Sequence, residues 1–137
     1  MKRLAQFLLL ILVLTKCADK KQNFEAPILK NIGDYKVNVT TNSEHSQLFF
    51  NQGVIMANGF NHAEAERSFR ESIRQDSTFA MGYWGIAYVL GPNYNSGGEN
   101  MGAINEIKNA VRKAARFSSN CTPWEMAVIK AIQIKFP

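Results

Sequence analysis

The spacing of apolar residues changes once along this 137-residue chain, and the change limits the folds open to it. Before Ser43, the apolar residues Tyr35, Val37 and Val39 alternate with polar ones, which is the period of an extended strand. From residue 44 onward the apolar residues recur every three or four positions, as in amphipathic helices. A single short strand has no evident partner, so a small sheet and an extended lead-in fit the first segment equally well. The rest of the chain is predicted to be all-α.

Helix start and stop signals divide this second part into five segments. Asn61 and Thr122 can each cap a helix N-terminus, and each has a Glu three residues later, as in a capping box. Gly59 and the glycine-rich stretch 91–98 interrupt the helical pattern. The predicted helices cover residues 44–58, 61–75, 78–90, 99–117 and 122–136.

The fifth predicted helix is apolar on most of its surface, with Trp124, Met126, Ile129 and Ile134 among its apolar residues. A helix of this kind must be covered on more than one side. No further helix follows it in the sequence. We expect either that the chain is the N-terminal part of a longer array or that helix 122–136 self-associates.

The first seventeen residues have the organisation of an export signal. Lys2 and Arg3 form a basic start, and an almost wholly apolar run follows from Leu4 to Thr15. Twelve helical residues span roughly 18 Å, which is short of the ~30 Å hydrocarbon core of a bilayer. A secretory signal peptide over residues 1–17 therefore fits better than a membrane-spanning anchor.

Cys17 stands directly after the apolar run and before a polar stretch. The sequence from Leu14 to Cys17 resembles a bacterial lipoprotein signal, in which the cysteine becomes the lipid-modified first residue of the mature protein. Lys16 departs from that pattern, which usually has a small residue before the cysteine. The resemblance implies a membrane anchor through a lipid at Cys17, with a soluble exported form as the alternative. Residues 18–43 then form a polar tether and the extended lead-in.

The net charge of +5 does not indicate nucleic-acid binding. Lys2, Arg3 and Lys16 lie in the predicted signal peptide, which has no acidic residue, so the remainder carries +2. There the basic side chains are interleaved with acidic ones, as in the pair Glu66 and Arg70, instead of forming one basic stripe. No nucleic-acid partner is expected.

The helical part resembles the tetratricopeptide repeat, a helical hairpin. Gly53 and Ala87 lie 34 residues apart, each midway along the first helix of a pair. After Gly53 come Ala65, Phe69 and Ser72, at the spacing at which the family has Ala, Phe and Ala. Closely crossing helices need small residues at the contact and one large residue beside it.

The resemblance covers about 90 of the 137 residues and implies a right-handed solenoid of about two and a half hairpins. Its first repeat departs from the family at Phe49, Gln52, Met56 and Ser77, where the family has Trp, an apolar residue, Tyr and Pro. The second repeat is stretched by about four residues at the glycine-rich stretch 91–98.

In tetratricopeptide proteins the first helices of successive hairpins line a concave groove that binds an extended peptide. Phe50, Trp84 and Tyr88 fit such a groove, but they fit equally well against the segment before Ser43 or against later repeats. Carried over to this chain, the resemblance implies that the groove is lined by Gln47, Phe50, Val54, Asn58, Met81, Trp84 and Tyr88.

Sequence motifs that carry catalysis or hold a metal or cofactor are not found. His45 and His62 are the only histidines, and neither is spaced with Cys, Asp or Glu as metal ligands are. Gly97 and Gly98 lack the preceding strand and the Lys of a phosphate-binding loop. Cys121 is interpreted as a small, half-buried residue. We expect no enzyme activity, no cofactor and no metal site.

The function expected from the sequence is a protein–protein interaction scaffold that holds a peptide or protein at the bacterial cell envelope, in the periplasm or at the cell surface. The alternative is the helical N-terminal portion of a larger envelope enzyme or solute-binding protein whose active site lies beyond residue 137. Further 34-residue units downstream would favour the scaffold, and a catalytic motif there would favour the alternative.

Overall fold

The computed structural model describes residues 25–92 and 101–137, and the regular structure in both ranges is helical. The helices are α1 (Glu44–Asn58), α2 (His62–Gln75), α3 (Ala80–Leu90), α4 (Ile104–Arg116) and α5 (Pro123–Lys135). Single 3-10 turns at Met101–Ala103 and Ser118–Asn120 precede α4 and α5. These five helices correspond to the five predicted ones, and the all-α class is confirmed for the described residues.

Two helices begin more than one residue later than predicted. Helix α3 begins at Ala80 and not at residue 78, because Asp76 holds Thr78 in a turn. The Thr78 amide and hydroxyl both donate to Asp76 Oδ1, at 3.0 and 2.7 Å. Helix α4 begins at Ile104, after its 3-10 turn, whereas the sequence pattern placed its start at residue 99.

Three predicted features lie outside the described residues: the signal peptide 1–17 with Cys17, the tether up to residue 24, and the glycine-rich stretch from residue 93. Within the described ranges, no helix combines the length and the apolar character that crossing a membrane requires.

Consecutive helices pack against each other from α1 to α5. In addition, α1 contacts α3 and α3 contacts α5, so the odd-numbered helices form a continuous row. Helix α3 takes part in both sets of contacts and is therefore covered on several sides. Most of its residues are buried for this reason.

Phe69 of α2 is the point at which α1, α2 and α3 meet most closely. The residue is fully buried, and its ring lies against Gly53 of α1 and Gly85 of α3. A Cβ atom at Gly53 would lie 2.6 Å from Phe69 Cε1, so only glycine admits the ring here. The Phe50 ring contacts Phe69 and Phe79, with both centroid distances at 5.6 Å. These rings join the first three helices in one apolar core.

The lead-in, residues 25–43, contains no strand and crosses the helices without regular secondary structure. The residues of the period-2 pattern bind α1 instead of a second strand. The N–H groups of Val37 and Val39 donate to Asn51 Oδ1 and Gln47 Oε1 of α1, each at 3.0 Å. The side chains of α1 thus take the place of a neighbouring strand, and of the two alternatives the extended lead-in is the one observed.

Candidate functional site

The seven residues predicted to line a groove lie on α1 and α3, at different depths. Phe50 and Met81 are each 1% exposed and belong to the core, which corrects the surface position predicted for them. The Phe50 ring is buried because the Phe69 and Phe79 rings pack against it. The remaining five reach the surface to different extents: Gln47, Val54, Asn58, Trp84 and Tyr88.

Trp84 and Tyr88 lie one turn apart on α3, and their rings stack. The ring centroids are 5.1 Å apart and the planes differ by 6°. Trp84 is half-buried and packs against the core, whereas Tyr88 is 47% exposed. The pair forms a flat apolar surface supported from below by the helix. Such a surface suits packing against an apolar or planar group of a partner.

Val54 and Asn58 are likewise one turn apart, on α1. Asn58 Nδ2 donates to the Val54 carbonyl at 2.9 Å, so the side chain turns back onto its own helix. Asn58 is exposed, and its Oδ1 can accept a hydrogen bond from outside the chain.

Gln47 contacts the lead-in instead of an open groove. Its Nε2 donates to the Val37 carbonyl at 2.8 Å, and its Oε1 accepts the Val39 N–H at 3.0 Å. Nε2 also donates to Asn51 Oδ1 at 3.1 Å. A residue predicted to face a partner therefore binds the backbone of its own chain.

Gln52 holds another part of the lead-in. Its Oε1 accepts the Leu29 N–H at 2.9 Å, and its Nε2 donates to the Pro27 carbonyl at 3.0 Å and to Ser68 Oγ at 2.9 Å. In the sequence, Gln52 stood out only because the repeat family has an apolar residue at this place. The structure supplies the reason, since a buried amide needs partners and the lead-in provides two of them.

Glu125, near the start of α5, is fully buried and receives four hydrogen bonds. Two come from the amide and hydroxyl of Thr40, both at 2.7 Å. The other two come from the amide and hydroxyl of Thr122, at 2.7 and 2.6 Å. The bond from the Thr122 amide belongs to the predicted capping box, which is confirmed. Burial by itself raises the pKa of Glu125, but the hydrogen bonds from Thr122 and Thr40 outweigh it, so the pKa is lowered. The charged carboxylate ties the end of the lead-in to α5.

Glu71 of α2 ties down the other end of the lead-in. It accepts the Glu25 N–H at 3.1 Å and is also bound by the side chains of Arg74 and Gln75. Burial tends to raise the pKa of Glu71, but the hydrogen bonds from Arg74, Gln75 and Glu25 lower it by more.

Asp76, which follows α2, makes a third attachment to the lead-in. Its Oδ2 accepts a hydrogen bond from the Thr41 hydroxyl at 2.8 Å. Burial tends to raise the pKa of Asp76, and the hydrogen bonds from Thr78, Thr41 and the Asn42 amide lower it by more. The lead-in is therefore bound by carboxylates at both ends and by the amides of α1 between them.

A cavity of about 420 Å³ opens between the lead-in and α1, with Leu48, Asn51 and Ile55 of α1 on one side. It has the volume of a small-ligand site and a mainly apolar lining with a few polar groups.

The other residues that could bind a metal or act as a nucleophile do not form a common site in the described ranges. His62 Nδ1 is enclosed without a hydrogen-bond partner in the described ranges, where no three His, Cys, Asp or Glu side chains are grouped as metal ligands. Cys121 is a half-buried free thiol. Burial and the nearby Glu125 carboxylate raise its pKa, which makes it a poor nucleophile at neutral pH.

Comparison with known proteins gives no relative: no protein-family model, curated protein or solved structure matches this chain.

Proposed function

We propose that this protein is an interaction scaffold of the tetratricopeptide type, exported to the bacterial cell envelope, which binds a peptide or protein through the Trp84–Tyr88 pair of α3. The observation that carries the proposal is the parallel stacking of these two rings on an otherwise buried helix. Trp and Tyr are enriched among the few interface residues that carry most of the binding energy.

Two features of the packing support the repeat part of the proposal. The odd-numbered helices contact each other in a row while each also packs against its sequence neighbours, as stacked hairpins require. Gly53 and Phe69, which the repeat spacing pairs, are in direct contact.

The export part of the proposal rests on the sequence of residues 1–17. In the lipid-anchored form, Cys17 carries the lipid and the residues after it hold the helices away from the membrane. Labelling cells with an alkyne fatty acid tests this. Label is expected on the wild-type chain and should be lost in Cys17→Ser. Label on the wild type that survives in Cys17→Ser would contradict the assignment, and an exported but unlabelled wild type would favour the soluble form.

The binding surface is tested by crosslinking in the cells that make the protein, followed by capture of the tagged full chain. Proteins captured by the wild type but lost from Trp84→Ala and Tyr88→Ala would identify the partner. We expect each substitution to weaken binding by about 1–3 kcal/mol, or roughly tenfold to a hundredfold. Phe60→Ala is the matched control, because Phe60 is a 70% exposed aromatic residue in the turn between α1 and α2. Equal recovery of every partner by all four proteins would remove the aromatic pair from the binding surface.

A further inference from the structure

The lead-in does not lie flat on α1. It leaves the helix after Leu29, which is held by Gln52, and returns at Val37, which is held by Asn51. Gln52 and Asn51 are adjacent in sequence, so their Cα atoms are about 3.8 Å apart, whereas the chain from Leu29 to Val37 would span roughly 26 Å if extended. The residues between these two anchors must therefore turn away from the helix and come back.

The backbone of this loop, residues 30–36, contains two residues in a conformation typical of turns. Asn31 and Gly33 have φ values of 60° and 97°, in the left-handed region that Gly adopts freely and Asn tolerates. Compact loops whose ends are held close together are a recurrent form of functional surface loop. Loop residues form one side of the cavity over α1.

The cavity of about 420 Å³ lies between this loop and the helix. Leu48 and Ile55 line it from α1, and Ile28 and Tyr35 line it from the lead-in. Ile28, Tyr35 and Leu48 are all exposed, so three large apolar side chains converge on one opening. A second cavity of about 400 Å³ shares Tyr35 and Ile55 and extends to Asn58. The two cavities therefore adjoin each other along α1.

Asn51 lines the cavity, and only the oxygen of its carboxamide group is hydrogen-bonded within the described residues. Its Oδ1 accepts the Val37 N–H at 3.0 Å and a Gln47 Nε2 hydrogen at 3.1 Å. These two donors fix the orientation of the carboxamide. Within the described residues no acceptor binds Asn51 Nδ2, which keeps its two N–H donors available.

We propose that the cavity binds an extended peptide segment of a partner protein. One apolar side chain of that segment lies between the loop and Leu48 and Ile55, and a backbone carbonyl next to it accepts a hydrogen bond from Asn51 Nδ2. The neighbouring contacts point to this occupant, because Gln47 and Gln52 already hold extended polypeptide on either side of the cavity through backbone N–H and C=O groups. The site does not involve Trp84 or Tyr88, so it does not depend on the function proposed above.

The charges around the cavity favour an uncharged ligand group over an anion. Asp34 and Glu44 line it together with a single cation, Lys36. A free carboxylate, such as the head group of a fatty acid, would meet more negative than positive charge. A peptide carbonyl meets no such repulsion and satisfies the donor that the cavity offers.

The proposal is tested by titrating the isotope-labelled protein with the tripeptide acetyl-Gly-Leu-Gly-amide in an NMR experiment. We expect saturable shifts of the Leu48 and Ile55 methyl signals and of the Asn51 carboxamide, with a Kd in the millimolar range for so small a ligand. Acetyl-Gly-Gly-Gly-amide, which lacks the apolar side chain, should leave these signals in place. The compound 4-methylpentanamide has the apolar group and one carbonyl but no extended backbone, and it should bind at least fivefold more weakly.

Two variants separate ligand binding from attachment of the lead-in. Asn51→Asp keeps an oxygen for Val37 and Gln47 but has no Nδ2, so we expect at least fivefold weaker binding while the Val37 amide keeps its protection from exchange. Leu48→Lys, at an exposed position, should abolish binding without loss of fold. Tyr88→Ala is the control and should bind as the wild type does.

The proposal is overturned if no signal saturates or if Leu48→Lys binds the tripeptide as tightly as the wild type. Unchanged affinity in an Asn51→Asp protein that keeps the Val37 protection would also overturn it. Equal affinity for 4-methylpentanamide would make this a small-molecule site and not a peptide site. Shifts confined to the Trp84 indole would move the peptide to the aromatic pair, which would overturn this inference while supporting the proposed function.

Discussion

Phe69 fills the space that Gly53 and Gly85 leave open between α1 and α3. If the ring moved away from one glycine, it would collide with the helix that carries the other, so it cannot make room for a new side chain. The spacing of the repeat predicted half of this contact, since it paired Gly53 with Phe69. It gave no role to Gly85, because Ala87 occupies the place that the 34-residue period assigns to the small residue. Which small residue of α3 contacts the Phe69 ring depends on how α3 is rotated about its own axis. The spacing of residues in the sequence does not determine that rotation.

Gly85→Ala is predicted to destabilise the protein, because its Cβ would overlap the Phe69 ring. Overpacking of this kind costs about 1–3 kcal/mol, against a gain of roughly 0.5–1 kcal/mol for Ala over Gly in a helix. We expect a net loss of about 1–2 kcal/mol in the free energy of unfolding, measured with urea. Gly59→Ala is the control, because Gly59 has a φ of −81° and a new Cβ there would lie 3.4 Å from its nearest neighbour. Equal stability of wild type and Gly85→Ala would show that the ring has room to move.

Stability is predicted to fall in acid. Glu71, Asp76 and Glu125 all have a lowered pKa in the folded protein, so folding favours their charged forms. Their contribution is fully present above the unfolded carboxyl pKa of about 4 and is lost as the pH drops through the lower folded values. Urea midpoints measured between pH 7 and pH 3 should fall most steeply below about pH 4.

Glu125→Gln tests how much one of these three carboxylates contributes to the pH dependence of stability. It replaces an acceptor oxygen with an N–H₂ group facing the donors of Thr40 and Thr122, and an unsatisfied buried donor costs about 1–3 kcal/mol. The variant should be less stable at pH 7, and its loss of stability on acidification should be smaller than that of the wild type. Glu44→Gln, at an exposed position, controls for the removal of one negative charge. An unchanged acid dependence in Glu125→Gln would contradict the assignment.

Among the elements, the helices were predictable from the sequence and the path of the lead-in was not. The five helices follow from local signals, namely the apolar period and capping residues such as Asn61 and Thr122. The lead-in is fixed by hydrogen bonds between residues far apart in the chain, such as Leu29 with Gln52 and Thr40 with Glu125. No periodicity connects such pairs. A polar residue where a repeat family has an apolar one, as at Gln52, was the one available signal.

Gln52→Leu is predicted to release the first part of the lead-in while leaving the helices intact. The variant loses the bonds to Leu29 and Pro27, whereas Ser68 keeps a partner because its hydroxyl still donates to the Glu64 carbonyl at 2.7 Å. With roughly 1 kcal/mol per lost hydrogen bond, the Leu29 amide should exchange with solvent at least about tenfold faster. The amide of Ala110, buried in α4, serves as the internal reference. Equal exchange at Leu29 in both proteins would show that Gln52 does not hold the lead-in.

At the scale of the whole molecule, the row of odd-numbered helices ends in an uncovered surface. Trp124, Ala127, Ala131 and Ile134 recur at helical spacing on α5, and all four are exposed. The sequence predicted that this helix would lack a cover, and the structure shows which side of it remains open. Self-association through this side of α5 stays a prediction.

Self-association through α5 is predicted to appear as a mass above that of one chain in light scattering at rising protein concentration. Lys130 and Lys135 are also exposed on α5, so salt should strengthen the association by screening like charges. Ile134→Lys should shift the mass toward one chain, because Ile134 is 74% exposed in that stripe. Phe60→Lys adds the same charge at an exposed apolar residue elsewhere and should leave the mass unchanged. A single-chain mass at every concentration would exclude this mode of association.

The way in which α1 holds the lead-in also sets which substitutions that segment tolerates. The amides of Gln47, Asn51 and Gln52 bind main-chain atoms, so the side chains of Leu29, Val37 and Val39 do not make these bonds. Many replacements there would preserve the attachment, whereas proline, which has no N–H, would remove one bond at each site. Apolar replacements at these three positions would thus keep the path of the lead-in, because the amide side chains of α1 and not the replaced side chains make these hydrogen bonds.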